Sequence, residues 1–192
     1  MAFPGKILLV RLLATCAAGI VGCGLYIGYL HLSGNFHEVI PGEYYRSAQP
    51  SAAQIADYVD RYKIKTIVNL RGRVSDAEWY QDEILAAQDL GIAHIDFKMS
   101  ATHALTPERA QELVQLLKTA QKPILVHCQG GADRSGLASV IYLNQVALMD
   151  EHTAEKQLMP VLYGHVAIPY VSRSFAMDES WENLERTFGL RG

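Results

Sequence analysis

The run Ile124-Leu125-Val126-His127-Cys128-Gln129-Gly130-Gly131-Ala132-Asp133-Arg134-Ser135-Gly136 concentrates the chemistry of this chain. Its first four residues read as a short buried strand, and the residues after Gly136 read as a helix over 137–148, so the segment between them is a tight strand-to-helix loop. Ligands of α/β folds bind at the carboxyl ends of strands, and a loop entering a helix offers unpaired N–H groups and a positive dipole to an anion. A thiol in such a phosphate cradle is a nucleophile near neutral pH, because the helix end, the loop amides and Arg134 all favour the thiolate. Arg134 adds a planar fork that meets two phosphoryl oxygens at once, which a lysine does not.

The elements that must position this loop follow from periodicity. Val39 to Arg46 reads as a turn leading into a short strand. Ser51 is the expected N-cap of a helix with Ile55, Tyr58, Val59 and Tyr62 on one side. Strand-type residues Thr66 to Leu70 come next, then a helix over 76–90 with Trp79, Ile84, Leu85 and Leu90 expected inward, and a strand within 92–99. Thr106-Pro107 opens a helix to about residue 120. Helices over 152–162 and 179–188 complete the reading, with the segment Tyr163-Gly164-His165 expected as a turn with an exposed histidine. Strands alternating with helices predict an α/β fold, a single domain whose largely parallel central sheet is flanked by helices.

With Cys-x5-Arg-Ser-Gly following an apolar strand, the chain resembles the cysteine-dependent protein tyrosine phosphatases, in particular the compact dual-specificity type of bacteria. The resemblance runs from about Tyr45 to Tyr142 and includes Tyr45-Arg46-Ser47-Ala48-Gln49-Pro50 and Thr66-Ile67-Val68-Asn69-Leu70-Arg71. It implies that Cys128 attacks phosphorus and forms a thiophosphate. Arg134 and the amides of Gln129, Gly130, Gly131, Ala132, Asp133 and Arg134 would hold the phosphoryl oxygens. Ser135 would stabilise the thiolate leaving in the second step, and His127 would order the loop. The glycines let the backbone wrap close to the oxygens, Gly131 being the one that matches the family pattern. No cofactor and no metal is implied, and one cysteine among scattered histidines is no zinc site.

The chain departs from the family in one respect. The stretch from Asp96 to Thr106 carries no carboxylate near Ala101 or Thr102, where the general acid that protonates the leaving oxygen is expected. Three candidates replace it: Asp133, Asp96 and His103. Asp133 directly precedes Arg134, an arrangement that resembles the myotubularin-type lipid phosphatases; its bland alternative is a surface aspartate balancing a nearby base. Asp96 alternates with Ile95 and Phe97 as a strand residue would. Arg46 and Arg71 either meet an anionic substrate at the rim or are simply paired or solvated, and Trp79 and Trp181 are expected as core or interhelix residues.

The chain has 192 residues and a formal net charge of −3. The balance is near neutral and no lysine or arginine block stands out, which argues against nucleic acid as a partner. Charged residues make up 19% of the chain, and the shortfall falls mostly in the first thirty residues, where Lys6 and Arg11 alone carry charge. Residues 12–30, LLATCAAGIVGCGLYIGYL, are long enough at ~1.5 Å per residue to cross a ~30 Å hydrocarbon core. Three readings stand: a single signal anchor, a lipoprotein signal acylated at Cys23, and a cleaved signal peptide. The anchor reading divides the chain into a cytoplasmic stretch 1–11, a transmembrane helix 12–32, a linker 33–43 and a phosphatase domain 44–192. Lys6 and Arg11 then stay cytoplasmic and the domain lies on the periplasmic or extracytoplasmic side. The resemblance makes the partner a phosphorylated protein, with a phosphorylated lipid or small molecule as the first alternative and a catalytically weak phosphate-binding module as the second. Cys16 and Cys23 lie in the apolar segment, so no second thiol of the soluble part can trap Cys128 in an intramolecular disulfide.

Overall fold

The computed structural model describes residues 4–190. The chain divides into two units, Met1–Ser33 and Gly34–Gly192. Among the described residues, the first holds one helix, α1 (Pro4–Leu32). Its segment Arg11–Leu30, with a mean hydropathy of 1.7, is long and apolar enough to cross a membrane by length and composition. Leu12, Ile20, Val21 and Leu25 on it are exposed.

The second unit is a five-stranded sheet in the order β1-β2-β5-β3-β4. Strands β1 (His37–Ile40) and β2 (Tyr44–Ser47) form an antiparallel hairpin. Strands β3 (Thr66–Asn69), β4 (Ala93–Asp96) and β5 (Ile124–His127) are parallel to β2. The helices are α2 (Ala52–Tyr62), α3 (Glu78–Asp89), α4 (Pro107–Thr119), α5 (Arg134–Gln145), α6 (Glu151–Glu155), α7 (Pro160–Tyr163) and α8 (Phe175–Thr187), with a 3-10 turn at Lys156–Leu158.

Alternation along the strands splits the core in two, because successive side chains leave opposite faces of a sheet. Tyr44, Val68, Ile124 and Val126 pack with Leu113, Leu137, Ile141 and Trp181 of α4, α5 and α8. Tyr45 and Leu125 pack with Tyr58 of α2, and Ile67 packs with Ile55 and Ala86 of α2 and α3. The result is a helix–sheet–helix sandwich with β5 in its centre. The caps agree with their sequence signals. Ser51 and Gln54 form a reciprocal capping box at α2, and Thr106 caps α4 with Pro107 in its first turn.

The structure corrects several details. Residues 33–43 are not a linker throughout: β1 pairs with β2, and Asn35 is buried. The inward face of α3 is Tyr80, Glu83, Ala86 and Ala87, whereas Leu85 is exposed. That helix carries apolar residues on more than one side, so periodicity alone chose the wrong one; on the buried side Glu83 accepts from His127 and His94. The helix expected over 152–162 is broken into α6, the 3-10 turn and α7, with Pro160 opening the last of these.

Candidate active site

Residues 128–133 leave the C-terminal end of β5, the central strand, and run into α5. The alternation that builds the core also sorts the two residues at the strand's end. Cys128, 3% exposed, continues the face of Ile124 and Val126 towards α5. Fully buried His127 meets Glu83 of α3 on the other face.

The loop's carbonyls are tied outward one after another. Gln129 O accepts from the Gln49 amide (3.2 Å), and Gly130 O accepts from Asn35 Nδ2 (3.0 Å). Gly131 O and Ala132 O both accept from Arg46 Nη2, at 2.9 and 2.8 Å. Arg46 is fully buried, its Nη1 donates to Gln157 O and Oε1 (2.7 and 3.0 Å), and its guanidinium lies over the Tyr163 ring. Burial lowers its pKa to about 10, which leaves it cationic at neutral pH. Arg46 is thus a strut beneath the loop and not a residue of the rim. The amides of residues 129–133 meet no acceptor among the described residues. A concave loop whose carbonyls face out and whose amides are free suits an anion with several oxygens.

Gly131 has φ +70°, and a Cβ there would lie 2.5 Å from Ala48 N and 2.7 Å from Ser47 C, so the loop rests directly on the backbone of β2. Gly130 has open space at the same position. Cys128 Sγ lies 3.5 Å from Ser135 Oγ in the first turn of α5. Arg134 Nη1 donates to Leu70 O and, at 3.5 Å, to Met99 O, which places its guanidinium at the ends of β3 and β4.

Behind His127 stands a charged cluster that sequence reasoning missed. His127 Nε2 and His94 Nε2 both donate to Glu83 Oε1, at 2.9 and 2.6 Å, and Gln49 Nε2 donates to Glu83 Oε2. Burial works against the charge on Glu83, but the bonds from His127 and His94 outweigh it and hold its pKa down at about 2. Gln49 in turn accepts from Arg71, whose guanidinium stacks on Trp79 at 3.5 Å. A glutamate at the spacing of Tyr80 and Ala87, facing two strand histidines, was the available signal.

The acid candidates part company. Asp96 has both oxygens engaged, by Asn69 Nδ2 (2.9 Å) and the Tyr80 hydroxyl (2.5 Å). His103 is exposed and tied by Nδ1 to Ser100 and Thr102. Asp133 Oδ1 is 2.7 Å from His165 Nδ1, and His165 Nε2 is 2.8 Å from Asp178 Oδ2. His165 is 1% exposed, so the expectation of an exposed histidine fails: two carboxylates draw the ring inward. The carboxylates of Glu151, Glu155 and Glu185 gather within 4.8 Å of one another, but on α6 and α8, outside the loop.

A family model described as a DSP-PTPase phosphatase fused to NAD+ kinase matches residues 37–162, and the chain belongs to that family. It is 30% identical over 118 residues to the dual specificity protein phosphatase TpbA of Pseudomonas aeruginosa. That match covers 59% of this chain and 49% of the relative, so the chain spans about half the length of the curated relatives it matches. Among solved structures, a Cys-to-Ser variant of P. aeruginosa TpbA in complex with phosphotyrosine aligns at TM-score 0.53, with 20% identity over 78% of this chain and 91% of that one. Tk-PTP in its active form aligns at 0.60, with 17% identity over 79% and 97%. The core catalytic domain of the PP-IP phosphatase Siw14 from S. cerevisiae, in complex with citrate, aligns at 0.56, with 20% identity over 81% and 93%. These structures share the fold.

Proposed function

We propose that this chain hydrolyses phosphate monoesters through a thiophosphate on Cys128. The observation that carries the reading is the loop itself: four successive carbonyls tied outward, their amides without an acceptor among the described residues, in the segment that follows the buried Cys128 thiol. Cys128 attacks phosphorus in line. The amides of residues 129–134 and Arg134 hold the equatorial oxygens as charge develops, which fixed dipoles do at no cost in reorganisation. Ser135 donates to the sulfur as it leaves in the second step, and His127, fixed by Glu83, keeps the loop in shape. Asp133 serves as the general acid; Asp96, with both oxygens already engaged, fits that part less well.

Phosphotyrosine in proteins is the leading substrate class, with phosphoserine and phosphothreonine behind it, because a phenol with a pKa near 10 leaves with little protonation. TpbA, solved with phosphotyrosine, supports this choice. The lipid or inositol phosphate reading draws support from α1, which would hold the domain at a bilayer, and from Siw14; the loop residues 129–133 include no lysine to read further phosphates. The purified full-length chain should release phosphate from an aryl phosphate and lose this activity in Cys128→Ser. No turnover by the wild type would leave the phosphate-binding module as the reading. Phosphotyrosine peptides against phosphoinositide vesicles then decide the substrate class.

For α1 the reading is a single-pass anchor with the domain beyond the membrane. Acylation at Cys23 or cleavage of the segment is the outcome that would replace it.

A further inference from the structure

We propose that His165 is the proton-holding partner of Asp133: a buried imidazolium clamped between Asp133 and Asp178 that supplies the proton Asp133 passes to the leaving oxygen. The inference rests on the phosphatase reading above. Both ring nitrogens face carboxylate oxygens at 2.7 and 2.8 Å, and a carboxylate only accepts, so a neutral ring with a single N–H satisfies just one of them. Each nitrogen therefore carries a proton.

The ring is sealed from water, while the side chains of Asp133 and Asp178 are 40% and 32% exposed. Protons reach the imidazole through its two partners. The second oxygen of Asp133 takes no bond among the described residues, and the aspartate immediately precedes Arg134 in the loop. Besides the two aspartates, the charged group set against this corner is Arg46, which holds the neighbouring Ala132 carbonyl and interacts with Asp133. Burial alone would lower the His165 pKa; the bonds to Asp133 and Asp178 outweigh it and push it up to about 9.

This solves a supply problem. A carboxylate that accepts from an imidazolium holds no proton of its own, so the proton for the leaving oxygen comes from Nδ1. In the first step the S–P bond forms and the P–O ester bond breaks, its electron pair passing to the ester oxygen. The Nδ1 proton of His165 moves to Asp133 and from Asp133 to that oxygen, which leaves Asp133 a carboxylate again and His165 a neutral ring whose Nε2–H still donates to Asp178. In the second step water attacks phosphorus, the S–P bond breaks to return the thiolate, and the proton of the water goes to Asp133 and on to Nδ1. His165 touches no substrate; it is a positioning residue that acts through Asp133.

The test uses the full-length chain with aryl phosphates of graded phenol pKa and one alkyl phosphate. His165→Gln should lower kcat about 10²-fold on the alkyl ester and little on the best aryl leaving group, with the alkaline limb of kcat moved to lower pH. Asp178→Asn, a half-exposed position on α8, should move the same limb in the same direction. In Cys128→Ser, NMR of the imidazole should show His165 protonated through pH 8. A ring that loses its proton near pH 6.5 overturns the proposal, as does His165→Gln lowering kcat equally for every leaving group together with Tm. A wild type inert on every ester overturns the phosphatase reading and the relay with it; turnover with an unchanged leaving-group dependence in His165→Gln overturns the relay alone.

Discussion

Glu83 shows how one side chain can fix both a helix and a loop. Its Oε1 accepts from His127 and His94 inside the sandwich, so removing its charge leaves two buried imidazole N–H groups without an anion. Breaking a buried pair from one side costs about 3–5 kcal/mol. Glu83→Gln should therefore lose about 3 kcal/mol in urea unfolding and lower turnover by disordering His127. The pH dependence has a definite sign. The Glu83 pKa is depressed from 4.5 to about 2, so its contribution to stability is full above pH 4.5 and is lost as pH falls from there towards 2. His165 works in the opposite sense: its pKa is raised from 6.5 to about 9, so its contribution is full below pH 6.5 and fades as pH rises through 9. Unfolding midpoints measured between pH 2 and 10 should decline at both ends, the acid decline weakened in Glu83→Gln and the alkaline one in His165→Gln. Arg46→Lys keeps the charge and loses the fork that holds Gly131 O and Ala132 O. It should cost about 2 kcal/mol and at least tenfold in turnover.

At the scale of elements, the loop is a joint product of β5, which delivers Cys128, and β2, on which the loop lies. Gly131→Ala puts a Cβ against Ala48 N and Ser47 C in a left-handed backbone, at a conformational cost of about 1–2 kcal/mol before the clash. Gly130→Ala meets open space. Stability should fall by more than about 2 kcal/mol in the first and by less than about 0.5 kcal/mol in the second, read by thermal unfolding. The sequence made β5, the loop, the capped helices α2 and α4 and the parallel sheet legible, because strand alternation, Ser51, Thr106-Pro107 and the spacing from Cys128 to Arg134 are local signals. What supports the loop was not legible. Arg46 reaches Gln157 across 111 residues, and Asn35 reaches Gly130 across 95. Asn35 lay in a stretch that read as a connector, and His165 lies in an irregular segment whose composition gives no period.

For the molecule as a whole, two units of opposite character share one chain. The first exposes leucine, isoleucine and valine along a helix of membrane-spanning length; the second builds a buried core within a sandwich, while Leu148, Val161, Tyr170 and Val171 stay exposed. An apolar helix left in water is costly at roughly 25 cal/mol per Å². As an anchor, α1 should keep the chain in the pellet after alkaline carbonate extraction, and protease added to spheroplasts should reach the domain. Fatty-acid labelling that disappears in Cys23→Ser would favour the lipoprotein instead.

Arg46, on the second strand of the chain, holds the loop by joining it to Gln157. Closing so long a stretch of chain is among the slower events of folding. Cys128 is therefore synthesised well before the cradle around it exists. A chain still emerging from the ribosome, or still crossing a membrane, carries that thiol before Gln157 is there to hold Arg46 beneath the loop. Recovery of oxyanion binding in refolding should accordingly lag behind burial of the core, so that the site reports the completion of the fold.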